Sequence, residues 1–147
     1  MSSLPDGRCR GTGPSSPDLT VIVATRNRAR QTAQILRHLA SQETDGILGY
    51  EVLVVDNGST DTTRLAVEAE QRGFPAGLHY VYEGRTGKYY ALNAGMAWAA
   101  GNILVFTDDD ARPDSRWLVP LAACVREEEA DAVSGRVLPH WVAPPRV

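Results

Sequence analysis

The chain has 147 residues, of which 43% are apolar and 22% are charged, as is typical of one soluble globular domain with its own core. Its formal net charge of −3 gives no electrostatic support for a nucleic-acid or anionic-membrane partner. The two cysteines, Cys9 and Cys124, lie far apart and indicate neither a zinc site nor a disulfide framework. We therefore expect reduced thiols and a cytoplasmic protein.

The sequence contains no pattern of a signal peptide or a membrane span. Residues 1–18 lack the apolar segment of a signal peptide, and no apolar run approaches the roughly 20 residues that cross a bilayer. Any membrane association would therefore be peripheral and through partners. Gly, Pro and Ser are frequent in residues 1–18, which predicts a disordered tail before a folded domain over 19–138. The prolines in residues 139–147 predict an extended tail.

From residue 19 onward, strand and helix signals alternate along the chain. Short apolar runs rich in β-branched residues predict three buried strands, over residues 19–24, 51–55 and 103–107. Residues 78–82 alternate in character and predict one more strand, the third in chain order. Helical spacing and helix-end residues predict a helix after each strand: around 35–39, ending near 72, over 90–100 and over 113–129. Residues 132–137 are a candidate fifth strand. This alternation predicts an α/β fold with a parallel, doubly wound sheet and helices on both faces.

Acidic residues follow two of the predicted strands. Asp56 ends the second strand, and Asp108, Asp109 and Asp110 stand directly behind the fourth. The carboxyl ends of parallel strands share one edge of a sheet, which is where open α/β sheets bind ligands. Three adjacent like charges repel one another unless a cation lies among them, and hard oxygen ligands suit Mg²⁺ or Mn²⁺. The alternative is a solvated acidic turn that caps the next helix.

Two common nucleotide-binding motifs are absent from the sequence. A dinucleotide fold requires G-x-G-x-x-G after its first strand, where this chain has TRNR at residues 25–28. A P-loop requires G-x-x-x-x-G-K-[ST], but Tyr82 occupies its first glycine position and Tyr89 follows Gly87 and Lys88. A carboxylate in a cleft accepts hydrogen bonds from a base or a ribose, and a metal-bound acidic cluster faces a diphosphate. The pattern therefore favours a nucleoside diphosphate as the ligand.

A family resemblance rests on four segments, which occur in the order VIVATRNR (21–28), VLVVDNGSTDTT (52–63), GKYYALNAG (87–95) and FTDDDARPD (106–114). Together they resemble the inverting family-2 glycosyltransferases of the GT-A fold, over residues 19–139. The resemblance implies a GT-A-type, mostly parallel sheet with helices on both faces. It also implies that a nucleoside-diphosphate sugar, with a UDP-sugar as the first choice, binds through Mn²⁺ or Mg²⁺, and that the sugar passes to an acceptor hydroxyl.

The resemblance assigns a first group of residues to the nucleotide base. Thr25 and Arg28 would lie at the mouth of the first strand, near the uracil or another base, and Asp56 would hydrogen-bond that base. For Asp56, the alternative is a cap for the turn that follows it.

The resemblance assigns a second group of residues to the diphosphate, the ribose and the metal. Lys88 and Asn93 would approach the nucleotide or the diphosphate, although Lys88 as a solvated loop cation is the alternative. Asp108 and Asp110 correspond to the two acids of the family's D-x-D motif, with Asp108 toward the ribose and the metal and Asp110 toward the metal. Asp109 replaces the variable middle residue of that motif and is counted among the donor-binding residues.

The residues that would catalyse the transfer are not evident in the sequence. An inverting transfer requires a base within hydrogen-bond reach of the attacking hydroxyl, and no acid follows Asp131 in this chain. Family members continue beyond this point, and the resemblance places their base and acceptor site there. We therefore expect the C-terminal part of the fold and the general base to lie beyond Val147, and the acceptor is unknown. We also expect a homo-oligomer, formed through the exposed sheet edge or the tail.

Two other functions stay open at this point. One is a non-catalytic nucleotide-binding or interaction module built on the same fold. The other is a nucleotidyltransferase, which also combines an α/β sheet with an acidic metal site. That class has a glycine-rich, arginine-containing loop after its first strand, and residues 25–28 lack the glycines.

Overall fold

The computed structural model describes residues 16–139, in which four strands alternate with four helices. In chain order they are β1 (Leu19–Thr25), α1 (Ala29–Ala40), β2 (Tyr50–Asp56), α2 (Thr63–Gln71), β3 (Gly77–Tyr82), α3 (Lys88–Trp98), β4 (Ile103–Asp108) and α4 (Leu118–Glu127). Most of the predicted N-terminal tail and nearly all of the predicted C-terminal tail lie outside the described residues. Within 16–139, no helix has the length and apolar character needed to cross a membrane.

The four strands form one parallel sheet in the order β3-β2-β1-β4, which confirms the predicted α/β fold. The chain first builds outward from β1 to β3 and then crosses back, so that β4 pairs with the other side of β1. The strand order therefore reverses at β1, and the crevice outside the carboxyl ends of β1 and β4 is a topological switch point, where such sheets bind ligands. The register places Ala24 beside Asp108 and Thr25 beside Asp56 at this edge.

Apolar side chains alternate between the two faces of the sheet and are covered by helices on both. Val21 and Val23 belong to a buried cluster that includes residues of α1, α2 and α4. Ile22 and Leu53 belong to a second cluster, which α3 covers. Gly95 lets α3 approach the sheet closely, because a Cβ atom at this position would lie 2.6 Å from Cγ2 of Ile22. The predicted helices on both faces are thus confirmed.

The predicted fifth strand over residues 132–137 is wrong. Residues 128–139 contain no strand, and Val137 and Leu138 are 90% and 63% exposed. A strand needs a neighbour for its backbone hydrogen bonds, and this segment pairs with no described strand. The fourth helix also starts later than predicted, at Leu118, because Asp114 begins a turn in which its carbonyl accepts the N–H of Trp117.

Asp18, at the end of the predicted tail, is held by the amino edge of the sheet. Its Oδ2 accepts the N–H of Gly49 at 2.7 Å, and its carbonyl accepts the N–H of Ile103 at 3.1 Å. A single residue therefore connects the starts of β1, β2 and β4, at the end of the sheet opposite the carboxyl ends of the strands.

Candidate functional site

A cavity of about 430 Å³ opens at the carboxyl ends of β1 and β4, at the switch point. It is lined by six of the eight predicted site residues: Thr25, Arg28, Lys88, Asp108, Asp109 and Asp110. The other two, Asp56 and Asn93, are not among the lining residues. Arg26 and Asn57, which are not among the predicted site residues, line the cavity as well.

Asp109, the middle acid, is the buried one of the three. Only 6% of the residue is exposed, and its Oδ2 accepts the hydroxyl of Thr25 at 2.7 Å. Its Oδ1 lies 3.0 Å from Nη1 of Arg28. The hydroxyl oxygen of Thr32 lies 3.0 Å from that of Thr25 and extends the network into α1. Asp109 therefore anchors the end of β4 to the end of β1.

Asp108 and Asp110 are exposed on the cavity. Their side chains are 61% and 63% exposed, and each is paired with a cation from another part of the chain. Lys88, the first residue of α3, donates to Asp108, while Nη1 of Arg28 lies 3.2 Å from Oδ2 of Asp110. The carboxylate of Asp109, and after it the hydrogen bond to Asp110, raise the pKa of Arg28, which therefore stays charged.

The exposed acids fit an open oxygen site for Mg²⁺ or Mn²⁺. Within residues 16–139, no three acidic, histidine or cysteine side chains are grouped closely enough to enclose a metal. Mg²⁺ commonly takes one or two carboxylates and completes its shell with water and substrate phosphates. Asp108 and Asp110 supply such a pair, on a cavity that has room for phosphates beside them.

Asp56 is buried at the carboxyl end of β2 and does not line the cavity. It is 2% exposed; its Oδ1 accepts the N–H of Ser59 and its Oδ2 accepts the hydroxyl of Tyr80, both at 2.7 Å. Burial and then the hydrogen bond to Asp56 raise the pKa of Tyr80, so that the phenol keeps its proton and donates. The contact with Ser59 is the turn cap that is the alternative role of Asp56.

Asn57 fixes the loop between β3 and α3. Its Nδ2 donates to the carbonyls of Glu83 and Arg85, at 3.2 and 2.6 Å, and its Oδ1 accepts the N–H of Gly87 at 2.8 Å. Gly87 has φ of +140°, a conformation that favours glycine. The next residue, Lys88, is thereby placed on the cavity, and the first turn of α3 lines it. The N-terminus of a helix attracts anions.

Asn93 lies farther along α3 and is exposed, outside the cavity lining. The family resemblance implies that it lies together with Lys88 near the nucleotide or the diphosphate. In the structure, only Lys88 of the two is at the cavity.

Three further hydrogen bonds fix the loop between β1 and α1. Asn27 has φ of +53°; its Oδ1 accepts the N–H of Thr60 at 2.7 Å, and its own N–H donates to Oγ of Ser59 at 2.8 Å. Oδ2 of Asp61 accepts the N–H of Ala29 at 3.2 Å. The residue types at 57–61 predict a turn, but the hydrogen-bond partners of this turn depend on the pairing of β1 with β2.

Comparison with known proteins identifies a family. The model of the family described as "Glycosyl transferase family 2" matches residues 20–141. The chain is 32% identical over 121 residues to the glycosyltransferase AglE of Haloferax volcanii, which covers 82% of this chain and 40% of that protein. The chain thus spans less than half the length of this relative.

Solved structures share the fold. The S. aureus TarS 1–349 structure has a TM-score of 0.69 at 29% identity, over 84% of this chain and 38% of that chain. The mannosyltransferase PcManGT of Pyrobaculum calidifontis, in complex with GDP-Man and Mn²⁺, has a TM-score of 0.61 at 36% identity, over 72% and 33% of the two chains. The matched family model covers most of the chain, and the GT-A-like sheet agrees with it. The chain therefore belongs to glycosyl transferase family 2, a family of sugar-transferring enzymes.

Proposed function

We propose that this chain forms the donor-binding part of an inverting glycosyltransferase, which binds a nucleoside-diphosphate sugar together with Mn²⁺ or Mg²⁺. The observation that carries this proposal is the division of three adjacent acids at the switch point. Asp109 is buried and anchored, whereas Asp108 and Asp110 are exposed on the cavity. In a solvated acidic turn, all three acids would be exposed, and none would be expected to be buried beside a cavity lined by cations.

The diphosphate of the donor would lie between the exposed acids and the first turn of α3. Asp110 and Asp108 would hold the divalent cation, and Lys88 and the helix N-terminus would face the phosphate oxygens. Once bound, the cation supplies charge neutralisation for the departing diphosphate. Asp108 would also reach the ribose.

The base would lie toward Thr25, Arg28 and Asp56. Each oxygen of the Asp56 carboxylate has one present partner and a second lone pair, which leaves it able to accept a base N–H once the loop adjusts. We propose that Asn93 contacts a part of the nucleotide sugar that extends past the cavity.

Solved relatives support nucleotide sugars as the donor class. TarS has been solved with UDP and with UDP-GlcNAc, and PcManGT with GDP-Man and Mn²⁺. We propose a UDP-sugar first and a GDP-sugar second. We assign the general base to none of the acids that line the cavity, because Asp108 and Asp110 would hold the cation and Asp109 is buried and held by Thr25 and Arg28.

The test is calorimetric titration of the chain with UDP, GDP, ADP, CDP and TDP, each with and without Mn²⁺. We expect one or two of these nucleotides to bind tightly, and only when Mn²⁺ is present. In Asp110→Asn, we expect Mn²⁺ no longer to increase the affinity for the nucleotide. Asp131→Asn is the matched control, because Asp131 is exposed and lies outside the cavity lining. Binding that ignores both Mn²⁺ and Asp110→Asn would overturn the metal assignment.

Assays of product release and of nucleotide binding with the same protein distinguish the alternative functions. Release of pyrophosphate from a nucleoside triphosphate and a sugar phosphate would identify a nucleotidyltransferase instead. Nucleotide binding that is insensitive to the sugar on the diphosphate, together with no hydrolysis of any nucleotide sugar, would favour a non-catalytic module.

A further inference from the structure

Exposed ion pairs hold both cavity acids in the structure. The pairs are Lys88 with Asp108 and Arg28 with Asp110, and all four side chains are between 48% and 63% exposed. Ion pairs at this exposure contribute little stability, since water screens them. The two acids are therefore available to a stronger cation at small cost.

The two pairs differ in what holds the cation. Nη1 of Arg28 also bonds Oδ1 of the buried Asp109 at 3.0 Å, so the guanidinium stays in place when Asp110 turns away. The Lys88 ammonium has no partner except Asp108 among residues 16–139. Lys88 is thus the cation that can move, and its backbone stays fixed because Gly87 is held by Asn57.

We propose that Lys88 exchanges partners: it neutralises Asp108 until the donor and the divalent cation bind, and its ammonium then passes to the diphosphate. The inference rests on the proposed function, and it adds a coupling to it. Metal and nucleotide would bind with positive cooperativity. The cation releases the Lys88 ammonium from Asp108, and the diphosphate draws the same ammonium away from the acid that the cation binds.

The charges of the cavity support this coupling. The carboxylates of Asp108, Asp109 and Asp110 are matched by the cations of Arg26, Arg28 and Lys88, so that the lining is formally neutral. A divalent cation alone would leave the cavity positive, and a dianionic diphosphate alone would leave it negative. Only the two together restore neutrality, and the like charges that each would meet alone lower its affinity.

The decisive variant is Lys88→Met, which removes the ammonium group and keeps an unbranched side chain one atom shorter. Mn²⁺ binding without nucleotide, measured by electron paramagnetic resonance of free Mn²⁺, should tighten about two- to fivefold, because the competing ammonium is gone. Binding of the best nucleoside diphosphate in the presence of Mn²⁺ should weaken about tenfold or more, because the diphosphate loses a charged donor. Arg72→Met, at an exposed cation outside the cavity lining, is the control and should change neither.

Lys88 can also be observed directly, because it is the only lysine in the chain. Reductive methylation with ¹³C-formaldehyde keeps its charge and gives one lysine signal beside that of the N-terminal amine. We expect this signal to shift when Mg²⁺ and the nucleotide are added together, and to differ from wild type before any addition in Asp108→Asn.

The possible failures are distinguishable. Lys88→Met without tighter Mn²⁺ binding overturns the exchange, while the donor site itself stands. A wild-type chain that binds no nucleoside diphosphate, with or without a divalent cation, overturns the proposed function first. Lys88→Gln repeats the measurement if the Met variant is unstable.

Discussion

The hydroxyl of Thr25 donates to Oδ2 of Asp109 over 2.7 Å, although the two residues are 84 positions apart in the chain. The bond joins the carboxyl ends of β1 and β4, and Arg28 adds a second contact to the same carboxylate at 3.0 Å. Because Asp109 is buried, these contacts fix the segments that carry Arg28, Asp108 and Asp110. The middle acid thus positions its neighbours.

Removal of the Asp109 carboxylate should destabilise the fold far more than removal of the acid before it. Asp109→Ala leaves the Thr25 hydroxyl without its acceptor, and we expect a loss of about 1–3 kcal/mol in the free energy of unfolding. Asp108→Ala removes an exposed acid beside two others and should stay within about 0.5 kcal/mol. Urea unfolding followed by circular dichroism measures both. Equal losses in the two variants would contradict the anchoring role.

The amide of Asn57 should control the order of the loop before α3. Asn57→Asp keeps the size of the side chain but turns the donor to Glu83 and Arg85 into an acceptor that faces their carbonyls. We expect a loss of about 1–3 kcal/mol in stability and faster amide exchange over residues 83–88, measured by mass spectrometry. Asn102→Asp, the same change at an exposed residue, is the control. Unchanged exchange in Asn57→Asp would show that the loop holds itself.

The close approach of α3 to the sheet should make Gly95 intolerant of a methyl group. In Gly95→Ala the new Cβ would meet Ile22 at 2.6 Å and Val55 at 3.3 Å. We expect a loss of about 1–3 kcal/mol, seen as a melting temperature lower by several degrees in calorimetry. Gly73→Ala has no atom within 4 Å of the new Cβ and should be neutral or slightly stabilising. Equal melting temperatures would mean that α3 shifts without cost.

Stability should fall in acid because several carboxylates have depressed pKa values. Hydrogen bonds from the Arg85 side chain, and then its backbone N–H, lower the pKa of Glu83 from 4.5 to about 2. The N–H of Gly49 lowers the pKa of Asp18, and the hydroxyl of Thr63 lowers the pKa of Asp61. A depressed pKa stabilises the fold above the unfolded value, and this contribution is lost as the pH falls through the folded value.

The window for Glu83 therefore runs from pH 4.5 down to about 2. Thermal melts across this range should show a progressive decrease. In Arg85→Met, carbon NMR of the Glu83 carboxyl should show a pKa that rises toward the ordinary 4.5 and stays below it, because the backbone N–H of residue 85 still donates to the carboxylate. A titration that stays near pH 2 in this variant would assign the shift to another group.

Self-association through an open sheet edge also stays a prediction. Among residues 16–139 no strand pairs with the outer side of β3 or of β4, and Tyr82 and Phe106, on these two strands, are 63% and 47% exposed. Sedimentation velocity should show concentration-dependent association, which Phe106→Ser weakens if the β4 edge carries it. A monomer at all micromolar concentrations would count against the edge and the tail alike.

The sheet was predictable because β1, β2 and β4 contain continuous apolar runs, and a run buried on both faces requires helices on both sides. The alternating character of residues 78–82 predicted β3. The gathering of six site residues followed from strand ends that share one edge. The burial of Asp109 was not predictable, since β4 ends at Asp108 and the alternation of a strand no longer orients the next two acids. Asp56 and Asn57 form hydrogen bonds with β3 and with the loop that follows it. The residues around positions 56–57 do not predict these distant partners. The absent strand at 132–137 has the same cause, because strand formation depends on a partner.

Synthesis of the chain completes three strands before the edge that carries the cavity can exist. β1, β2 and β3 become neighbours in the order in which they are made, whereas β4 must return across them to pair with β1. Pairing of distant segments forms slowly, because entropy is lost before the contacts are gained. A nascent chain that has not reached Asp110 therefore has a partial sheet and no place for a ligand. A ligand that binds only the sheet in which β4 is paired with β1 will lengthen the lifetime of this pairing. It will thereby protect β4 from proteolysis.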